Sequence, residues 1–216
     1  MRKALLSLIL ILALTAAHTA SAQVLINEVD TAGGTGQWIE FFNPTGAPID
    51  VSGWQVQMYY DNLPGSNIGT IIIPGAAGSM TTVIPNEGFM VISDNVSTPA
   101  LPVGVVRVTT TTFPTQWFAG IPYSIGLYDN VGNGVDYLAA SNSNFFGAPL
   151  ALGGTNTEWA GHPSAINPIG GGAPILGGQL AGAVDAVTYR HTRLDSDDAS
   201  DWTNNGATGT GTPGAH

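Results

Sequence analysis

The chain has no cysteine. That removes disulfide staples, a lipid-bearing cysteine and every thiolate metal site. Cations are nearly as scarce: five lysines and arginines stand against fifteen acids. Arg2 and Lys3 fall in the first 22 residues; without them the formal charge goes from −10 to −12, and Arg107, Arg190 and Arg193 are the only basic residues left. Nucleic-acid affinity comes mainly from Lys and Arg displacing counterions. So acidic a chain argues against DNA or RNA as a partner, and against an anionic membrane surface for the same reason. Of the four histidines, His18 and His216 lie near the ends, and His162 and His191 are far apart with no HExxH spacing, which speaks against a zinc site. No G-x-S-x-G elbow, P-loop or dinucleotide fingerprint occurs. Beyond residue 22 no window carries a 3.6-residue apolar period, so the expected fold is nearly all β.

What is present begins with a leader. Arg2 and Lys3 precede an apolar run from Leu5 to Ala17, and Ala20-Ser21-Ala22 offers a small-x-small cleavage site. Residues 1–22 therefore read as a secretory signal peptide cut after Ala22, with the product secreted, extracellular or held in the periplasm or cell envelope. The run is too short and too weakly flanked for a membrane span. Export without disulfides suits a bacterial envelope or medium. Residues 23–216 have the size of one β-sandwich domain.

The stretch from Val24 to Tyr60 reads as three short strands separated by turn residues: Val24–Val29, Trp38–Phe42 and a run from Ile49. Ile49 and Val51 share one parity, while Trp54, Val56 and Met58 share the other, so a bulge or kink at Ser52-Gly53 is expected. Further strands are expected at Thr70–Ile73, Thr81–Ile84, Phe89–Ile92, Val103–Thr110 (an edge strand protected by Arg107), Tyr123–Tyr128 and Val135–Leu138, with Asn133-Gly134 as a hairpin turn. Ala183–Tyr189 reads as the last strand, with a looser tail from Trp202. The parity-based core is Leu25, Ile39, Phe41, Val51, Trp54, Val56, Val91, Ile125 and Leu127.

"INEV", "WIEFFNPTGAPIDVSGW", "IPNEGFMVIS", "LYDNVGNGVDYL" and "YRHTRLDSDDASDW…TPG" occur in this order. The ordered set resembles the lamin-tail domain, an immunoglobulin-like β-sandwich found in nuclear lamins and in many secreted bacterial proteins. The resemblance implies a single two-sheet domain of roughly seven to ten strands. It covers most of the chain after residue 23 but leaves a Gly/Ala/Asn/Pro-rich insertion at about 139–183. The chromatin association of the lamins does not carry over to so acidic a chain.

Several groups are candidates for chemistry. Asp195, Asp197, Asp198 and Asp201 lie close together and offer carboxylate oxygens of the kind Ca²⁺ takes. The EF-hand pattern fails, since Ala199 occupies a ligand position and no closing Glu follows; the alternative is a solvated acidic turn beside Arg190 and Arg193. Calcium is the only cofactor considered, and none is required. Glu40 shares a strand face with Trp38 and Phe42, where burial would suit a catalytic acid. A second carboxylate would come from Glu28 or Asp50; the alternative is that these acids accept hydrogen bonds and fix register. Asn95-Val96-Ser97 fits a glycosylation acceptor. Trp117, Phe145, Phe146 and Trp159 fall in loops, where aromatics either make binding surfaces or staple the loop to the body. The reading is an exported, non-enzymatic module contacting protein or glycan through its loops. The alternatives are a calcium-stabilised surface or adhesion protein and an accessory domain of a secreted hydrolase or nuclease.

Overall fold

A computed structural model of the chain describes residues 24–30, 37–60, 67–94, 100–111, 113, 123–140, 187–190 and 202–204. These residues form strands and turns, with no helix among them. In chain order the strands are β1 (Leu25–Asp30), β2 (Trp38–Phe42), β3 (Ile49–Asp50), β4 (Gln55–Tyr60), β5 (Asn67–Ile72), β6 (Val83–Ile84), β7 (Phe89–Asp94), β8 (Val106–Thr110), β9 (Tyr123–Tyr128), β10 (Gly134–Ala140), β11 (Val187–Arg190) and β12 (Trp202–Asn204). One sheet has the order β12-β11-β1-β2-β7-β8 and the other β10-β9-β4-β5, while β3 and β6 pair by themselves. All pairings are antiparallel except β7 with β8. The architecture is an immunoglobulin-like β-sandwich.

The core lies between the two larger sheets. Ile39, Phe41, Met90 and Ile92 from one meet Val56, Met58, Ile125 and Leu127 from the other, all buried. Burial of each such side chain contributes about 1.5–3 kcal/mol. Asp136 closes one side. Its carboxylate accepts the Ile26 N–H across the sheets at 2.5 Å and the Tyr137 N–H at 2.7 Å. A buried acid facing inward from edge strand β10 thus ties that edge to β1.

Parity fails where the sequence hides it. The β1–β2 register shifts between Ile26 and Glu28, so Asn27 is an extra residue. Ile26 and Val29 both reach the core, and Leu25 is turned to the opposite face. There it packs with Phe42 and Phe89, whose rings lie 5.0 Å apart. Val91 also belongs to that face, opposite Glu40, with Met90 and Ile92 inward in its place. Strands β1, β2 and β7 are buried on both faces, which erases the alternation from their sequences.

The kink at Ser52-Gly53 is a turn between two strands, with Gly53 at φ 78° and Val51 and Trp54 both in the core. Strand β10 runs through Ala140, later than the expected start of the insertion. A further strand, β12, follows the one expected to be last and pairs with it. Among the described residues twelve strands exceed the expected seven to ten because the kink divides one run into β3 and β4 and β12 is added.

Candidate functional site

Strand directions sort the connections to two ends. One end is marked by Leu25, Phe42 and Phe89 in one sheet and by Gln55, Ile72, Tyr128 and Gly134 in the other. Two of the four crossings between the larger sheets, β2 to β4 and β5 to β7, run over this end and meet as the β3–β6 ladder. The hairpin from β9 to β10 and the lead-in to β8 belong to the same end, as does the connection from β11 to β12.

This crossing end is held by three polar side chains. Asn43 is buried; its Nδ2 donates to the carbonyls of Ala47, Ile84 and Pro85 at 2.9, 3.2 and 2.9 Å. Its Oδ1 accepts the Thr45 N–H and hydroxyl. Asp50 accepts the Ser52 N–H and hydroxyl at one oxygen and the Met80 N–H at the other. The Ser52 hydroxyl holds the Asp50 carboxyl below the usual carboxylate range against the opposing effect of burial, and the Ser52 and Met80 amides add to the lowering. Asp129 binds the N–H groups of Val131 and Asn133 and the Asn133 amide, fixing the β9–β10 turn. These groups explain the Asn-Pro-Thr-Gly and Asp-Val-Ser-Gly runs as corner chemistry.

The candidate acid Glu40 does lie beside a second carboxylate. It stands directly opposite Glu28 in the β1–β2 ladder. Asp50 is not that partner, being occupied at the crossing end. Glu40 Oε1 accepts a hydrogen bond of 2.7 Å from Asn27 Nδ2, so the bulge that adds Asn27 also delivers its amide to the carboxylate. Glu28, Glu40 and Asn27 are all buried. A general acid must touch the proton it moves; Glu28 is 1 % exposed and Glu40 fully buried.

The opposite end is where the remaining connections start. Residues 31–36, 61–66, 111–122 and 141–186 each join strands that finish or start there, at Asp30, Tyr60, Thr110 and Ala140. Trp117 lies in the third of these stretches, and Phe145, Phe146 and Trp159 in the fourth. These four aromatics lie outside the described residues, and so do Asp195, Asp197, Asp198, Asp201 and the Asn95-Val96-Ser97 acceptor. In sequence the aromatics follow the strand ends Thr110 and Ala140, and the aspartates follow Arg190, a strand end on the other side. Among the described residues, no group of three His, Cys, Asp or Glu is placed to hold a metal ion.

Met80 and Val131 escaped the sequence reading, and Val103 was expected to begin a strand that starts only at Val106; all three are strongly exposed in connections of the crossing end. The available signal was an aliphatic residue set between turn formers, as in Pro102-Val103-Gly104 and Asn130-Val131-Gly132.

The family model of the Lamin Tail Domain matches residues 17–142, more than half of the chain. It spans β1 to β10; β11 and β12 fall beyond it yet complete the six-stranded sheet. Among curated proteins nothing matches.

Proposed function

The chain belongs to the lamin tail domain family, and from that premise we propose that it is an exported binding module with no catalytic step of its own. Strand polarity carries the reading. It brings the strand ends Thr110 and Ala140 to one end of the sandwich, and Trp117, Phe145, Phe146 and Trp159 follow those ends in sequence; loops on a β scaffold commonly present a binding surface. The partner is an extracellular or envelope protein or glycan. Aromatic side chains supply much of the affinity at such surfaces. The leader-like residues 1–22 support export. Absence of catalysis is supported by the use of four described carboxylates: Asp50, Asp129 and Asp136 hold backbone N–H groups, and Glu40 holds Asn27.

The test compares the wild-type chain with the Trp117→Ala, Phe145→Ala, Phe146→Ala, Trp159→Ala variant on glycan arrays and on envelope extracts from the source. Retention of a partner should weaken on the order of 100-fold in the variant. Equal retention by both forms removes the loop surface from the account. A panel of phosphoester and glycoside substrates should give no turnover; turnover abolished by Glu40→Gln would establish an enzyme instead.

A further inference from the structure

The sequence offers Asn133-Gly134 as a hairpin turn, and the fold does not use the pair that way. The β9–β10 hairpin turns at Asp129–Gly132, closed by Gly132 N–H to Asp129 O, and the positive φ of 89° falls on Gly132. Gly134 opens β10 and pairs with Tyr128; the bulge that follows adds Val135. No positive φ calls for glycine at 134. A glycine inside a strand weakens it and leaves its backbone open to close approach.

That opening matters because of the residue before it. Asparagine is thermolabile: the backbone nitrogen of the next residue can close a five-membered ring on the asparagine Cγ, and a glycine puts no side chain in the way. Ring closure requires the asparagine side chain to rotate and its amide nitrogen to leave. At Asn133 both are opposed by Asp129. Asp129 Oδ2 accepts from Asn133 Nδ2 at 2.7 Å, and Oδ1 accepts the Asn133 N–H at 2.8 Å. The Asn133 carbonyl in turn accepts the Asp129 N–H at 2.9 Å. The side-chain amide, main-chain N–H and carbonyl of one residue are thus all tied to another, four positions earlier.

We infer that Asn133-Gly134 is a site of self-modification, kept latent by the Asp129 clamp while the β9–β10 hairpin is closed. When the clamp opens, Gly134 N attacks Asn133 Cγ. The N–Cγ bond forms, the Cγ–Nδ2 bond breaks, and ammonia leaves with the proton of Gly134 N. Water then adds to one of the two imide carbonyls. Opening on one side gives aspartate. Opening on the other gives isoaspartate, in which the main chain runs through the side-chain methylene. No oxidant or cofactor enters. Either product undoes the clamp. A carboxylate replaces the donor that stands 2.7 Å from Asp129 Oδ2, and like charges so close repel. Isoaspartate also lengthens the chain just ahead of β10, whose register with β9 and whose Asp136 bond to Ile26 N–H close one side of the sandwich. The change does not reverse, so it records that the hairpin has opened.

The test incubates the full chain in warm, mildly alkaline buffer, native and in urea, and follows Asn, Asp and isoaspartate by peptide mapping. Asn133 should react at least about 10-fold more slowly in the native chain than in urea, because the native reaction waits on local opening. In urea it should keep pace with Asn205-Gly206, the other such pair in the sequence, and outrun Asn27, Asn67 and Asn130, which precede Glu, Ile and Val. Asp129→Asn keeps an acceptor for the Asn133 N–H but sets one amide donor against another, so the native reaction should speed up about 10-fold. Asn133→Asp, standing in for one product, should melt at least about 2 °C lower than the wild type. Equal wild-type rates in native buffer and in urea overturn the inference. So does an Asp129→Asn chain that melts cooperatively yet reacts no faster than the wild type. Asn133 left intact in urea while Asn205 is consumed denies the site, and an unchanged melt of Asn133→Asp denies its consequence for the hairpin.

Discussion

Replacing Asn43 with Asp changes one atom group and inverts what the crossing end can bind. The native Nδ2 donates to three carbonyl oxygens, those of Ala47, Ile84 and Pro85, while Oδ1 accepts from Thr45. A typical intramolecular hydrogen bond contributes about 0.5–1.5 kcal/mol, and leaving its partner buried and unmet costs more. Asn43→Ala removes all these bonds and strands carbonyls in the ladder region, for an expected loss of roughly 3–4 kcal/mol. Against a typical total of about 5–15 kcal/mol that is a large fraction. It corresponds to a melting-temperature drop of roughly 10 °C for a domain of this size. Asn43→Asp keeps the acceptor for Thr45 but aims a carboxylate oxygen at three carbonyl oxygens. A buried charge without donors is costlier than a small cavity. At pH 7 the Asp variant should therefore be less stable than the Ala variant, despite its near-identical shape. Urea unfolding followed by tryptophan fluorescence, with unchanged m-values, measures both. An Asp variant more stable than the Ala variant, or an Ala cost below about 1 kcal/mol, would refute the assigned role of Asn43.

Asp50 has a folded-state pKa below its unfolded value, so its stabilisation is complete above the unfolded pKa of about 3.9 and is lost as pH falls toward the folded one. Asp50→Asn should accordingly narrow the stability difference between neutral and acid pH; an unchanged acid limb would contradict the Ser52 and Met80 bonds. Gly75 and Gly78 form a matched pair. A Cβ at Gly75, φ 101°, would meet Thr81 Cβ at 2.6 Å and Ser52 Cβ at 2.9 Å, whereas one at Gly78, φ 74°, meets nothing within 4 Å. Chemical denaturation should find Gly75→Ala costing more than about 2 kcal/mol and Gly78→Ala about 1 kcal/mol. The Ser93 hydroxyl is buried with no hydrogen-bond partner among the described residues, so Ser93→Ala should leave the melting temperature unchanged or raise it by a few degrees.

Turn chemistry made much of the fold legible. Asn-Pro-Thr-Gly and Ser-Gly each follow a strand, whereas the hairpin expected to turn at Asn133-Gly134 turns at Asp129–Gly132 and Gly134 opens β10; the parity conflict between Val51 and Trp54 revealed a kink because one face there is polar. Leu25 and Val91 were misplaced for a physical reason. Strands out of water on both faces carry apolar residues at every position, and the added Asn27 inverts parity with no glycine to announce it. Strand β12 was hidden because Trp-Thr-Asn is short and lies among residues typical of loops. The alignment of Glu28 with Glu40 depends on that same bulge, so the sequence left two partners open for Glu40 and the register chose one. The exposed Met80, Val103 and Val131 were legible only as isolated exceptions to turn preference, and their common end follows from strand direction alone.

Strand β1 takes its second neighbour, β11, from the far side of the whole domain. During synthesis every described residue of the core between the sheets has emerged by Ala140. The seam beside Glu28–Asp30 still waits for Val187–Tyr189. Asp136 guards only the Ile26 N–H in that interval. A nascent chain therefore passes through biogenesis with an unfinished margin, open to strands of its own siblings.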